Sequence, residues 1–106
     1  MSKFIVILCT VPSKDDGIAI AKRLVEEGLA ACVNINSGVS SIYKWKGDIC
    51  DDEEYLLFIK SRKALFDKVS AEIVSLHPYD LPEIISLPIT VALKPYLNWI
   101  EENTQN

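Results

Sequence analysis

The sequence predicts an α+β fold of the ferredoxin-like, split βαβ type. Its order is β-α-β-β-α-β followed by a C-terminal helix, with one antiparallel sheet and both main helices on the same face. Three observations carry that expectation. Apolar runs of strand character alternate with two amphipathic stretches of helical period. Capping and turn residues fall at the junctions between them. The 106 residues make one domain, 1–106, long enough to bury a core without staples.

The elements follow in order. Phe4 to Val11 is β-branched and apolar at nearly every position, which predicts a central strand covered on both faces. Pro12 stops it. Ser13 is a good helix N-cap, and Asp16 three residues on forms a capping-box arrangement with Asp in place of Glu. Ile18, Ala21, Leu24 and Val25 make the apolar face, and Gly28 suits the position after the C-cap. A helix is therefore expected over 13–28.

The next stretch, Leu29 to Asn36, alternates Val33 and Ile35 with Asn34 and Asn36, a period of two. Ser37-Gly38 interrupts it as a bulge. Val39 to Trp45 resumes the strand, with Tyr43 and Trp45 on one face. Lys46-Gly47-Asp48 is a tight turn, and Ile49 to Lys60 runs back. Ser61 is a candidate cap for a second helix, in which Leu65, Phe66, Val69, Ile73 and Leu76 share a face. His77-Pro78 ends it, since a residue before proline leaves the α region. Glu83 to Ile89 is a short last strand whose flanking Pro82 and internal Pro88 suit a sheet edge. Leu93 to Ile100 is a short helix, and the tail 101–106 is expected to fray.

The hairpin is too long for the body. Residues 31–45 would span about 45–50 Å fully extended, whereas a compact chain of this size has a radius of gyration of about 13 Å. An overhang carrying Ile42, Tyr43, Trp45 and Ile49 with open backbone edges invites pairing with another chain. A homo-oligomer is therefore expected; the alternative is a bent hairpin that folds back on its own sheet.

Composition narrows the function. Eleven Lys+Arg against fifteen Asp+Glu give a formal net charge of −4, which disfavours nucleic acid and anionic membranes as partners. No segment approaches the roughly 20 apolar residues of a membrane span, and Phe4 to Val11 is strand-length rather than a signal-peptide core. Cys9, Cys32 and Cys50 are an odd number without CxxC spacing, which points to a reducing, cytoplasmic setting. No glycine-rich phosphate loop, RNP-type motif or catalytic triad is present, so a non-enzymatic binding protein is expected.

Each candidate residue has two readings. Cys9 and Cys32 are ordinary small buried hydrophobes or soft-metal ligands. His77, the single histidine, is a helix C-terminal donor or a metal ligand. The topology suggests that Cys9 and His77 lie at opposite ends of a subunit and meet across a subunit boundary. Lys60 is the polar end of a strand, a buried counter-ion or an anion contact. Glu83 is placed to pair with a lysine of another element. Tyr43 and Trp45 belong to an interface or form a stacking platform.

Six motifs in order give the chain a resemblance to a known family. They are Leu8-Cys9-Thr10-Val11-Pro12, Leu29-Ala30-Ala31-Cys32-Val33-Asn34, Ser41-Ile42-Tyr43-Lys44-Trp45-Lys46-Gly47, Glu54-Tyr55-Leu56-Leu57-Phe58-Ile59-Lys60, His77-Pro78-Tyr79-Asp80-Leu81-Pro82-Glu83-Ile84 and Tyr96-Leu97-Asn98-Trp99-Ile100. Together they resemble the CutA family of divalent cation tolerance proteins, from Phe4 to about Ile100. The resemblance implies a homotrimer of ferredoxin-like subunits, similar to PII signalling proteins. It also implies a role in copper tolerance and divalent cation binding, with metal ligands at Cys9 and His77 and Cys32 as a softer addition. Some members carry a second histidine where this chain has Leu76, which implies a weaker site here. The alternative is a PII-like sensor or scaffold that binds a small anion or a partner in intersubunit clefts through Lys60, Tyr43, Trp45 and Glu83.

Overall fold

The computed structural model describes residues 3–106. Its strands are β1 (Phe4–Val11), β2 (Cys32–Trp45), β3 (Asp48–Arg62) and β4 (Ile85–Pro88). Its helices are α1 (Lys14–Glu26), α2 (Phe66–Leu76) and α3 (Lys94–Glu102), with a 3-10 turn at Lys63–Leu65 leading into α2. The four strands form one sheet in the order β2-β3-β1-β4, antiparallel at every pairing. This is the predicted split βαβ arrangement.

Local chemistry explains most boundaries. The Ser13 hydroxyl oxygen accepts the Asp16 N–H at 3.1 Å and donates to the Asp16 carboxylate at 2.7 Å, closing the expected cap. α1 stops at Gly28, whose φ of +68° is the left-handed conformation that favours glycine. The β2–β3 register slips between Asn36 and Val39, at the expected Ser37-Gly38 bulge. The hairpin closes through Lys46 and Gly47, both at positive φ. That is the turn geometry whose twist matches a two-residue hairpin.

α1 and α2 cover one face of the sheet. Ile5, Ile7, Cys9 and Val11 of β1 and Leu57 and Ile59 of β3 pack with Ile20, Leu24, Val69 and Ile73 into one core. β1 is central, paired with β3 on one side and β4 on the other. Its burial nevertheless alternates, with Phe4, Val6, Leu8 and Thr10 only half-buried. The double cover that its apolar sequence calls for is thus supplied on one face only by this chain. The hairpin overhangs as expected. The molecule measures 44 × 26 × 22 Å, and at the tip Ile42 is 72% and Ile49 77% exposed.

Three expectations are corrected. Ser61 does not cap α2. It remains in β3, buried, and its hydroxyl donates to the Leu29 carbonyl at 2.6 Å, so the ladder continues two residues past Lys60. The last strand is shorter than 83–89, because only Ile85–Pro88 pair with β1. The tail does not fray. Gln105 N–H donates to the Gly28 carbonyl at 2.7 Å, Arg62 donates to Thr104 at 2.9 Å and to the Gln105 carbonyl, and Thr104 is buried. A buried guanidinium needs acceptors, and the tail supplies them.

Candidate functional site

A large concavity lies between the outer half of the β2–β3 hairpin and the loop that follows α2. It has a volume of about 810 Å³, within the range of small-molecule sites. Both walls follow from local sequence. The bulge in β2 restores pairing at Val39↔Glu54, so Ser41, Tyr43 and Trp45 share a face with Glu54. The loop is stiffened by Pro78 and Pro82 and carries Tyr79, Asp80 and Glu83 across the end of β1, where Thr10 closes the floor.

Tyrosine–carboxylate pairs fix the interior. Glu54 is 5% exposed and accepts the Tyr79 hydroxyl at 2.8 Å. The Tyr43 hydroxyl donates to the Asp52 carboxylate. That bond is the main reason the Tyr43 phenol is pushed up to about 12. Burial, then the bond to Glu54, raises the Tyr79 phenol as well. Both hydroxyls are therefore protonated donors at neutral pH.

His77 and Cys9 sit beneath this groove. The topological expectation that they lie at opposite ends is wrong. β3 runs antiparallel to β1, so α2 sets out from the start of β1 and returns to its end. His77 Nε2 donates to the Thr10 carbonyl at 2.8 Å, and Nδ1 accepts the Tyr79 N–H at 3.1 Å. Cys9 is fully buried, and its Sγ lies 3.7 Å from the same carbonyl. Burial, then the carboxylates of Glu83 and Glu54, push its thiol up to about 12.

Copper-type ligation by Cys9, His77 and Cys32 does not fit these residues as folded. Both imidazole nitrogens of His77 are engaged in hydrogen bonds within the chain, whereas a metal ligand needs a free one. Cys32 lies apart, in register with Lys60 near the opposite end of the sheet. No group of three His, Cys, Asp or Glu among the described residues is placed to hold an ion.

The remaining candidates divide. Tyr43, Trp45 and Glu83 line the groove; Lys60 does not. Lys60 is half-buried on the open sheet face, paired in register with Val6 and Cys32, and forms no ion pair among the described residues. Glu83 likewise has no lysine partner there. Sequence reasoning missed Glu54, Tyr79 and Asp80 as groove residues. The available signal was a carboxylate, Glu54, on the same strand face as Leu56 and Phe58, facing a proline-bracketed loop.

A family profile described as CutA1 divalent ion tolerance protein matches residues 5–103. The chain belongs to this family. The divalent-cation tolerance protein CutA of Thermus thermophilus is 50% identical over 99 residues, covering 93% of this chain and 96% of that protein. The solved structure of a Thermus thermophilus divalent cation tolerance protein superposes with a TM-score of 0.94 at 48% identity, covering 96% of this chain and 99% of that one. The chloroplastic CutA of Arabidopsis thaliana is 43% identical over 96% of this chain, which spans only 56% of that relative's length. The resemblance read from the six motifs thus holds for fold and family. No helix among the described residues is long and apolar enough to cross a membrane.

Proposed function

We propose that this CutA-family chain is a non-enzymatic homotrimer of the divalent cation response that works in the cytoplasm by binding, with neither nucleic acid nor membrane as a partner. The observation that carries the reading is the uncovered apolar surface. The sheet face opposite the helices bears half-buried Val6, Leu8, Leu56 and Phe58, with Ile85 and Leu87 about half exposed beside them. The hairpin adds Ile42, Tyr43, Trp45 and Ile49. Apolar area on this scale, with open edges at β2 and β4, favours association. The number three comes from the family resemblance, and closed rotational symmetry would cover each open face equally.

Binding rather than catalysis is supported by the chemistry of the groove. Its tyrosines are committed to carboxylates, and the nearby thiol is buried and protonated, so no nucleophile stands ready at neutral pH. The alternative, a PII-like sensor or scaffold that binds a small anion or a partner in intersubunit clefts, would take its basic side chains from Lys60 or a neighbouring subunit, because the groove lining of one chain holds none. Three free cysteines fit a reducing compartment.

Native mass spectrometry under reducing conditions, with and without sub-stoichiometric copper or zinc, tests both parts. A three-chain mass without retained metal is expected. A monomer at micromolar concentration overturns the assembly. Three retained ions that disappear in His77→Ala overturn the assignment away from Cys9 and His77.

A further inference from the structure

We propose that Lys60 of one chain pairs with Glu83 of the next, a charge pair that sets how neighbouring subunits register. The pairing rests on the homo-oligomer proposed above and specifies its contact. Lys60 lies on the sheet face opposite α1 and α2, in register with Val6 and Cys32, and shares that face with the half-buried Leu56 and Phe58. It is half-buried itself and has no ion pair among the described residues. Its basic neighbours at this end are engaged within the chain: Lys3 with Glu101, Arg62 with Thr104 and the Gln105 carbonyl, and Lys68 with the Gln105 side chain. A subunit that covers the apolar face also takes the Lys60 ammonium out of water, which is costly unless a carboxylate meets it.

The complementary carboxylate borders the same face. Ile85 is in register with Leu8, so Glu83, two residues earlier, stands level with Thr10 at the entry to β4. Lys60 is on β3, across β1 from it. Four residues along the strands and two strands apart, about 13 Å by 10 Å, the two side chains do not meet within one chain, and Glu83 has no ion pair among the described residues. The apolar Val6, Leu8, Ile85 and Leu87 lie between them. An apolar face with a cation on one border and a carboxylate on the opposite border matches a second copy of itself when unlike borders abut. Closed rotational symmetry repeats that contact at every interface, one pair per chain. Glu54 is not the partner, because it is buried and accepts the Tyr79 hydroxyl within its own chain.

Charge reversal tests this, with Lys60→Glu and Glu83→Lys made singly and together. The readout is the urea concentration at which the mass from light scattering falls to that of one chain, with circular dichroism before urea as the check on folding. Each single reversal should lower that concentration. The combined reversal, which restores opposite charges, should recover about half or more of the summed loss. Lys60→Glu with Asp80→Lys, a reversal at another exposed carboxylate of the same loop, should recover less. If a reversal fails to fold, Lys60→Gln and Glu83→Gln form the same cycle, and their combined loss should be smaller than the sum of the two. Losses that add, single changes without effect, or equal recovery through Asp80 overturn the pair while the oligomer stands. An unaltered protein that runs as one chain overturns the assembly and the pair together.

Discussion

Cys9 shows how one side chain's role depends on the cover around it. Its thiol ionises near 8.5–9 in an unfolded chain and at about 12 in the fold. Between those values the unfolded state has released a proton that the native state keeps, so stability falls as pH rises from about 9 towards 12. Cys9→Ala should be destabilised at pH 7 by about 1–2 kcal/mol through lost packing. The difference in melting temperature between it and the unaltered protein should shrink above pH 9; a constant gap from pH 7 to 11 would contradict the shifted thiol. Ellman's reagent at pH 8 should reach only the half-exposed Cys32 and Cys50 in the native protein, and Cys9 after unfolding. Tyr79 acts through Glu54. Tyr79→Phe strips the buried carboxylate of its phenolic donor, and a loss of about 1–3 kcal/mol is expected by urea denaturation. The pairing of these two residues was not legible in the sequence, because they lie 25 positions apart and meet only where the loop crosses the end of β1.

At the scale of elements, boundaries set by local bonds were legible and boundaries set by distant ones were not. The Ser13 cap, the Gly28 stop, the bulge and the tight turn each depend on a few neighbouring residues, and each stands where the sequence put it. Ser61 has the same composition signal as Ser13, yet its hydroxyl goes to Leu29 across the fold. The tail is the larger case. Residues 101–106 look like a polar, fraying end, but Arg62, Thr104, Gln105 and Gly28 tie it between β3 and the end of α1. Removing residues 104–106 takes away Arg62's acceptors. A loss of about 2 kcal/mol is expected, read by urea denaturation, with Arg62→Ala largely suppressing the further effect of truncation. Full additivity of the two changes would show that the tail is not held through Arg62.

For the whole molecule, the decisive feature is surface that a single chain cannot cover. β1 is apolar on both sides, but only the side facing α1 and α2 is closed. Ile42→Glu, at a tip residue 72% exposed in the chain, should leave the circular dichroism spectrum unchanged and lower the mass measured by light scattering. A charge buried at an association surface is penalised, whereas the same charge in water is not. An unchanged oligomeric mass would place the contact elsewhere than the hairpin tip.

By itself the sequence determined the order of elements, the single antiparallel sheet, the overhang of the hairpin and the family. Hydrophobic period, capping and turn chemistry act over a few residues, and six spaced motifs survive as a linear pattern. Only the tertiary structure decided where the chemistry lies. It returned α2 to the end of β1, so His77 and Cys9 share the Thr10 carbonyl. It also set Glu54, Tyr79 and Glu83 around a groove from which Lys60 is excluded. Such juxtapositions depend on antiparallel register and on the path of one loop, which no local pattern of residues encodes.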